Sequence, residues 1–412
     1  MIAVSFLGLG KKNKDTDVYE YEKTKYEYGG KIVETCYFPY AVKEFTSPEK
    51  LAVIMTNKAN EVHSERLREK CEYESIIISD GKTQKEIWDI FGKIADYVPE
   101  NEEVILDITH GFRSQPVILL ACLVYLKALK NVKLKKILYA AFEARDENNV
   151  TPVFDLKPFL DLMDWSYGVY EFIRNGNTKE FRKLLSDAQR NTYIFNDKIK
   201  AKKLKVAGNI LEEFSNAMSV VNVNDMLATA KNYKNAMPDI IKETENISEA
   251  KPFGLLIDKV KERMNKLGMP YKEQEGKGFI KTNVEIIKWY LETEQYQQAI
   301  TLMTELIITV KCILIGENPY SFENRKKAIE IIGKEIDMVK SGEKNRLETK
   351  ESNLFGKLGE VRNEINHAGM KERTIDVKGT NQIKRIKEYF KELEEYIEEE
   401  LVNADKFNES SV

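Results

Sequence analysis

The sequence predicts an α/β domain built on a parallel sheet, followed by an all-α region. Over about the first 160 residues, short β-branched runs alternate with helical stretches, as in a parallel sheet covered by helices. Beyond Pro158 the strand patterns end, and segments of helical periodicity continue to the C-terminus. Because 412 residues exceed one ordinary core, we expect two or three domains, the first of them ending near residue 160.

Five segments are nearly continuous hydrophobic runs, as expected of strands buried on both faces of a sheet. In chain order they are Ile2–Leu7, Lys50–Met55, Ser75–Ser79, Glu103–Ile108 and Lys136–Phe142. A Tyr-rich segment after the first of them predicts an inserted hairpin, with Gly29 and Gly30 in its turn.

Apolar residues at three- and four-residue steps predict the helices. Thr83–Tyr97 has this spacing, and Val117–Leu126 is the longest apolar run, which we interpret as a core helix. No run reaches the ~18 residues of a membrane-spanning helix. The final helix has one apolar stripe, formed by Ile383, Ile386, Phe390, Leu393, Ile397 and Leu401.

Composition narrows the functional classes. The formal charge of −3 excludes a polybasic nucleic-acid coat, although a local phosphate-binding patch stays possible. Four scattered cysteines without a Cys-x-x-Cys pair argue against a structural zinc site and a disulfide framework. The apolar N-terminus runs directly into Lys11 and Lys12 and predicts a strand rather than a signal peptide. We therefore expect a reduced, cytoplasmic protein that contacts no membrane.

The segment 107–116, DITHGFRSQP, lies where a strand gives way to a helix. Ligands bind at the carboxyl ends of strands in open parallel sheets. Gly111 permits exposed backbone N–H groups, Arg113 offers a bidentate fork for phosphate, and Thr109 and His110 add neutral donors. The following helix N-terminus, capped by Ser114 in this interpretation, favours negative charge. An alternative is a polar turn that binds nothing.

The loop Gly8-Leu9-Gly10 follows the first strand and precedes Lys11 and Lys12, so it is a second candidate for phosphate binding in the same sheet. It is neither a P-loop nor a dinucleotide fingerprint, since G-x-G-x-x-G requires glycine where Asn13 stands. This departure, together with the lack of an evident redox group, argues against an oxidoreductase.

A second polar constellation, Arg362-Asn363-x-x-Asn366-His367, lies near the end of a helix whose apolar stripe is Leu354, Leu358, Val361 and Ile365. Gly369 is placed to end that helix. Asn363 and His367 share one face, where the amide could orient the imidazole.

A histidine with a pKa near ~6.5 can move a proton at neutral pH, and an adjacent arginine can stabilise a phosphorane-like transition state. These groups suit metal-independent RNA cleavage by the ribose 2′-hydroxyl. A histidine that only caps the helix is the alternative for this motif taken alone.

Taken together, the two constellations resemble the CRISPR-associated CARF–HEPN ribonucleases of type III systems. The resemblance lies in the D-x-T-H-G-x-R segment Asp107–Arg113 and in Arg362-x4-His367, and it covers essentially the whole chain. It implies a Rossmann-like CARF domain at 1–160 and a HEPN ribonuclease domain at 276–412. Residues 161–275 would be a helical connector or a HEPN elaboration.

The resemblance also implies an activity, partners and site residues. A homodimer or higher homo-oligomer would bind a cyclic oligoadenylate, with cyclic tetra-adenylate the expected ring, and would then cleave single-stranded RNA without a cofactor or metal. The residues implied to bind the activator are Gly8, Leu9, Gly10, Thr109, His110, Gly111 and Arg113. Those implied to form the ribonuclease site are Arg362 and His367, with Asn363 in support.

Two alternatives stay open. The chain could be a non-catalytic regulator that senses the nucleotide and binds a partner or nucleic acid. The lysines at 198, 200, 202, 203 and 205 could form an RNA track, although a solvated helix face is the preferred interpretation.

Overall fold

The computed structural model describes residues 1–14, 17–111, 115–194, 200–247, 250–267, 276–343, 350–368, 370 and 378–409. The chain separates into two compact units, Met1–Asp161 and Leu162–Val412. The first unit carries the strands and the second is helical. The predicted fold class is therefore confirmed.

The first unit contains an eight-stranded mixed sheet and a separate two-stranded ribbon. The strands are β1 (Ile2–Phe6), β2 (Lys11–Lys12), β3 (Tyr19–Glu20), β4 (Thr24–Tyr28), β5 (Lys31–Thr35), β6 (Lys50–Thr56), β7 (Glu74–Ile78), β8 (Glu103–Asp107), β9 (Lys133–Ala140) and β10 (Val150–Asp155). The helices are α1 (Phe38–Thr46), α2 (Asn57–Arg68), α3 (Gln84–Tyr97) and α4 (Gln115–Lys130), with a 3₁₀ turn at Phe142–Ala144.

The sheet has the order β5-β4-β10-β9-β8-β1-β6-β7, and β2 pairs with β3 in the ribbon. Strands β9, β8, β1, β6 and β7 are mutually parallel. From β1 the chain proceeds to β6 and β7 on one side, then returns to place β8 and β9 on the other. The strand order therefore reverses between β1 and β8, and in such sheets this switch point opens a crevice at the carboxyl ends of the strands.

Alternation along the strands gives the sheet a core on each face. Ile2, Val4 and Phe6 of β1 pack in one cluster with residues of α3 and α4. Ala3 and Leu7 point to the opposite cluster, which includes residues of α1 and α2. Both faces of β1 are thus buried, which explains its unbroken hydrophobic run.

All five strands proposed from hydrophobic runs are present, and so is the inserted hairpin. Strands β4 and β5 pair antiparallel around Gly29 and Gly30, whose φ angles of +60° and +81° suit a tight hairpin turn. Strand β10 was missed because Pro152 interrupts its pattern. The sheet accommodates this proline because Val150–Pro152 pair with β4, whereas Val153–Asp155 pair with β9.

The second unit consists of helices, and most of their buried residues form one extended core. They are α5 (Lys157–Asn175), α6 (Lys179–Ile194), α7 (Leu204–Ser219), α8 (Val223–Asn246), α9 (Lys251–Lys266), α10 (Lys277–Glu292), α11 (Tyr296–Leu314), α12 (Phe322–Ser341), α13 (Lys350–Asn366) and α14 (Gly379–Glu409). The predicted stripes of the last two helices face this core where their side chains are described, as the burial of Leu358 and Leu393 shows, and the side chain of Leu401 lies outside the described residues.

Helix α11 corrects one expectation from the sequence. Within the described residues it is the one helix long and apolar enough, by length and composition, to cross a membrane, and 61% of the relevant window is buried inside the protein. The sequence pattern concealed its length because Glu305 and Lys311 interrupt the apolar run. Its buried residues belong mainly to the core of the helical unit.

Candidate functional site

The two candidate loops of the sheet lie side by side at the switch point. Strands β1 and β8 pair in parallel, with Ile2 opposite Val104, and a further bridge joins Leu7 to His110 beyond the strand ends. The loop Gly8–Gly10 therefore runs next to the segment Thr109–Gly111. The structure brings together these six residues, which the sequence had proposed from two separate motifs.

Close backbone approach requires both glycines of the first loop. A Cβ atom on Gly8 would lie 3.1 Å from the carbonyl oxygen of His110. Gly10 has a φ of +75°, and a Cβ atom there would lie 2.5 Å from the carbonyl oxygen of Glu20. A side chain at either position would push the neighbouring segment away, so these glycines hold the loop against its surroundings.

Asp107 and Thr109 tie the end of β8 to the strands beside it. Ser5 of β1 donates a hydrogen bond to the Asp107 carboxylate, and the Thr109 amide donates to Asp107 Oδ1 over 2.7 Å. The Thr109 hydroxyl accepts a hydrogen bond from the Ala140 amide of β9 over 3.0 Å. Complete burial raises the pKa of Asp107 to about 6, although these hydrogen bonds oppose the rise. Thr109 thus has a clear positioning role, and its contact with a ligand stays a prediction.

His110 is a neutral side chain at the edge of this loop. Its ring centroid lies 4.3 Å from that of Tyr21, and its Nε2 is buried without a hydrogen-bond partner among the described residues. Burial lowers the pKa of His110 to about 4, with a smaller contribution from His63. At neutral pH the imidazole is therefore uncharged and can serve a ligand as donor or acceptor. Gly111 follows it, half-buried. Arg113 and Ser114 lie outside the described residues.

Sequence reasoning missed the aromatic cluster beneath these loops. His63 of α2 is fully buried, and its Nε2–H donates to the Leu9 carbonyl over 3.0 Å. The Tyr37 hydroxyl lies 3.2 Å from His63 Nδ1, and the Tyr21 ring packs against both. Burial lowers the pKa of His63, in keeping with this neutral tautomer. The Tyr-rich segment was the sequence feature that could have indicated this cluster, but its pattern predicted a hairpin rather than a site.

The second constellation lies at the end of α13. Leu354, Leu358 and Val361 are buried, so the helix turns its other faces outward. Arg362 lies on a flank, with its Nη1 3.9 Å from Glu305 Oε1 of α11. The other oxygen of Glu305 accepts a hydrogen bond of 2.6 Å from Arg325.

Asn363, Asn366 and His367 are exposed. In the part of the chain that the structure describes, no hydrogen bond joins the side chains of Asn363 and His367, so the expected orientation of the imidazole by the amide is not formed. The His367 amide still donates to the Asn363 carbonyl over 2.9 Å. Ala368, with a φ of +50°, adopts a left-handed conformation after the last residue of α13, one position before the glycine that we had expected to end the helix. Gly369 lies outside the described residues.

The lysine cluster of the middle region is interleaved with acidic groups. Lys203 Nζ lies 3.5 Å from Asp239, and the amides of Lys202 and Lys203 both donate to the Glu243 carboxylate. Lys200 donates to the Thr192 carbonyl, and Lys198 lies outside the described residues. The helix face expected for these lysines is wrong for Lys200, Lys202 and Lys203, which precede α7, and of the described lysines of the cluster Lys205 alone lies on that helix. Contact of this cluster with RNA stays a prediction.

Residues 2–143 match the family model of the CARF domain of the CRISPR system endoribonuclease Csx1. Residues 161–274 match the model of the second domain of the CRISPR-associated protein MJ1674. Residues 2–143 of the chain are therefore a CARF domain of the CRISPR-associated kind. The candidate sheet site lies wholly within the CARF domain, and the predicted kinship with CARF proteins is confirmed.

Two further comparisons accompany these domain matches. The chain is 25% identical over 374 residues to the CRISPR-associated protein MJ1674 of Methanocaldococcus jannaschii, an alignment covering 87% of this chain and 52% of the relative. The chain thus spans about half the length of that curated relative. A solved structure, Enterococcus italicus Csm6 bound to cyclic hexa-2′-fluoro-hexa-dAMP, aligns with a TM-score of 0.42 and 11% identity, covering 98% of this chain and 94% of that one.

Proposed function

We propose that this CARF protein is a metal-independent endoribonuclease of type III CRISPR defence, activated by a cyclic oligoadenylate and acting on single-stranded RNA in the cytoplasm. The observation that carries the proposal is the meeting of Gly8–Gly10 and Thr109–Gly111 at the switch point of a CARF sheet. The backbone of the two glycine-containing loops and a neutral imidazole there suit the phosphates and bases of a nucleotide ring. Arg113 would add a positive charge that attracts the phosphates of the ring.

Helix α4 supports a homodimer. One of its faces is apolar yet exposed, with Val117 68% and Leu129 62% accessible. The other members of this α4 face are Ala121, Val124, Tyr125 and Ala128. Because α4 begins next to the Thr109–Gly111 loop, a two-fold axis along this face would place the two copies of that loop together. A ring of repeated nucleotides has the symmetry to contact both.

The proposed cleavage uses Arg362 and His367, with Asn363 in support. His367 would take the proton from the ribose 2′-hydroxyl, whose oxygen then forms a bond to its own phosphorus. The bond from phosphorus to the 5′ oxygen breaks, and a second His367, from the partner copy, would return a proton to this leaving group. Arg362 would stabilise the extra negative charge of the transition state. On an ideal helix Arg362 and His367 point about 140° apart, so a groove between two copies of α13 suits both better than one helix does.

A cleavage assay tests this function. Fluorescent single-stranded RNA is incubated in EDTA with the wild-type protein, with or without cyclic tetra- or hexa-adenylate. We expect one ring to stimulate cleavage, and Arg362→Ala or His367→Ala to reduce the stimulated rate by at least about 100-fold, the usual scale of general acid–base catalysis. Arg190→Ala is a matched control, because Arg190 is exposed on α6 and, among the described residues, forms its ion pair with Asp187. Full activity in both site variants would disprove the mechanism.

The second candidate is the non-catalytic regulator. One observation favours it: among the described residues, no hydrogen bond holds the exposed His367 side chain of α13 in a fixed orientation for catalysis. In that case the protein would bind a cyclic oligoadenylate but cleave no RNA at high enzyme concentration.

A further inference from the structure

One carboxylate of the helical unit faces two arginines that come from different helices. Glu305 of α11 accepts a hydrogen bond of 2.6 Å at Oε2 from Arg325 of α12, and its Oε1 lies 3.9 Å from Nη1 of Arg362 of α13. The carboxylate therefore links three helices, and one of its two arginines belongs to the proposed ribonuclease site. The sequence motifs indicated neither Glu305 nor Arg325.

Arg325 is the firmly bound partner of this carboxylate. Its Nη1 donates to the Thr309 hydroxyl over 3.1 Å and to the Pro319 carbonyl over 3.0 Å, and its Nη2 also donates to the Glu305 carbonyl over 3.3 Å. The Thr309 hydroxyl in turn donates to that same carbonyl over 2.9 Å. A planar guanidinium with several bonds in fixed directions has little freedom to turn. Arg325 thus fixes the Glu305 carboxylate in place.

Arg362 has a looser contact with the same carboxylate. A distance of 3.9 Å is within ion-pair range but too long for a hydrogen bond. Both side chains are partly exposed, 36% for Arg362 and 43% for Glu305, so water reaches the pair. Among the described residues, no hydrogen bond uses the guanidinium N–H groups of Arg362. The carboxylate can therefore direct this guanidinium and leave its donors to a phosphate.

The charge of Glu305 also allows two arginines to lie close together. Since Arg325 and Arg362 face the two oxygens of one carboxylate, their guanidinium groups are neighbours, and like charges repel each other at such separations. Loss of the negative charge would leave Arg325 in place, because Thr309, Pro319 and the Glu305 carbonyl still bind it. The repulsion would then displace Arg362, which has no such bonds among the described residues.

We propose that Glu305 is a positioning residue of the ribonuclease site: fixed by Arg325, its carboxylate keeps Arg362 at the position from which the guanidinium meets the scissile phosphate. The inference rests on the proposed ribonuclease function and adds two residues that the sequence motif does not contain. Because Glu305 is negatively charged, it repels the phosphate rather than binding it. Its effect on cleavage is exerted through Arg362, which stabilises the transition state.

Glu305→Gln tests the proposal, since it removes the charge and keeps the length of the side chain, and the amide oxygen can still accept a hydrogen bond from Arg325. Arg325→Lys is a second test, because lysine lacks the planar fork. Glu317→Gln is the matched control: Glu317 pairs with Lys327 of α12 over 2.7 Å and, among the described residues, does not contact Arg362. Initial rates against RNA concentration, with saturating cyclic oligoadenylate, give kcat and KM.

We expect Glu305→Gln and Arg325→Lys each to lower kcat by about 3- to 5-fold, the upper range for one partly exposed ion pair. KM of Glu305→Gln should not rise, because the variant has lost a negative charge that repels RNA. Glu317→Gln should change neither constant.

A wild-type or higher kcat in Glu305→Gln would overturn the positioning role and leave the ribonuclease function standing. A lower kcat together with a higher KM would also overturn it, because general structural damage impairs both constants. Failure of the wild-type protein to cleave RNA would overturn the ribonuclease function and the role of Glu305 with it.

Discussion

At the scale of single residues, the switch point is held by buried polar groups rather than by its exposed ones. Asp107 accepts hydrogen bonds from Ser5 and from the Thr109 amide, and it is fully buried without a cationic partner among the residues that the structure describes. Such a carboxyl costs stability when ionised, because burial penalises the charged form. The protein retains it where the two candidate loops meet.

Asp107→Asn should reveal that cost. The folded-state pKa of about 6 lies above the ordinary 3.8, so the protonated form is favoured on folding. The stability supplied by Asp107 is thus complete below about pH 4 and is lost as the pH rises through 6. Relative to Asp107→Asn, the wild-type protein should lose up to about 3 kcal/mol of unfolding free energy between pH 4 and pH 7. Urea unfolding at a series of pH values measures this difference. If the unfolding free energies of the wild-type protein and Asp107→Asn changed with pH in the same way, the prediction would be contradicted.

At the scale of elements, helix α4 is apolar on two faces, although only one of them packs against the sheet. Leu119, Cys122, Leu123 and Leu126 are buried against the sheet. The opposite α4 face is equally apolar but exposed, which a helix that contacts only its own unit does not require. A second copy of the chain is the occupant that the proposed function assigns to it.

Charge placed on the α4 face should dissociate the proposed dimer. Val124→Glu and Leu129→Glu alter exposed positions, so the fold should persist while a buried, unpaired carboxylate weakens association by at least about 100-fold. Val220→Glu is the control, since Val220 is 72% exposed on the helical unit. Light scattering coupled to size-exclusion chromatography gives the mass, and a stable dimer in both α4 variants would refute this interface.

At the scale of the whole molecule, the two units carry different halves of the proposed function. The CARF unit holds the candidate activator site, and the helical unit holds Arg362 and His367. A change confined to activator binding should therefore alter the response to the ring and leave the chemistry of cleavage intact.

Arg113→Ala tests this separation. The loss of a charge-assisted contact to phosphate should raise the half-activating concentration of the ring by about 10-fold or more, while unstimulated cleavage stays unchanged. The measurement is RNA cleavage against activator concentration, with Arg190→Ala as the reference variant. An unaltered activation curve would remove Arg113 from the activator site.

Most of the fold could be predicted because its signals are local. Unbroken hydrophobic runs marked the parallel strands, and the spacing of Leu354, Leu358 and Val361 marked α13. Strand β10 and the β2–β3 ribbon escaped because Pro152 and the brevity of two-residue strands leave no pattern. The position of the glycine loop was also predicted, although the close approach of His110 and Glu20 that explains it was not.

The sequence by itself determined the order of an α/β unit and a helical unit, and it located both polar constellations, because each depends on neighbours along the chain. Only the tertiary structure decided that Leu7 meets His110, that Tyr21 packs against His110 and His63, and that His63 supports Leu9. These contacts join segments far apart in sequence, and strand order and ribbon register set them. No local propensity encodes such pairings, since they follow from the packing of the whole unit.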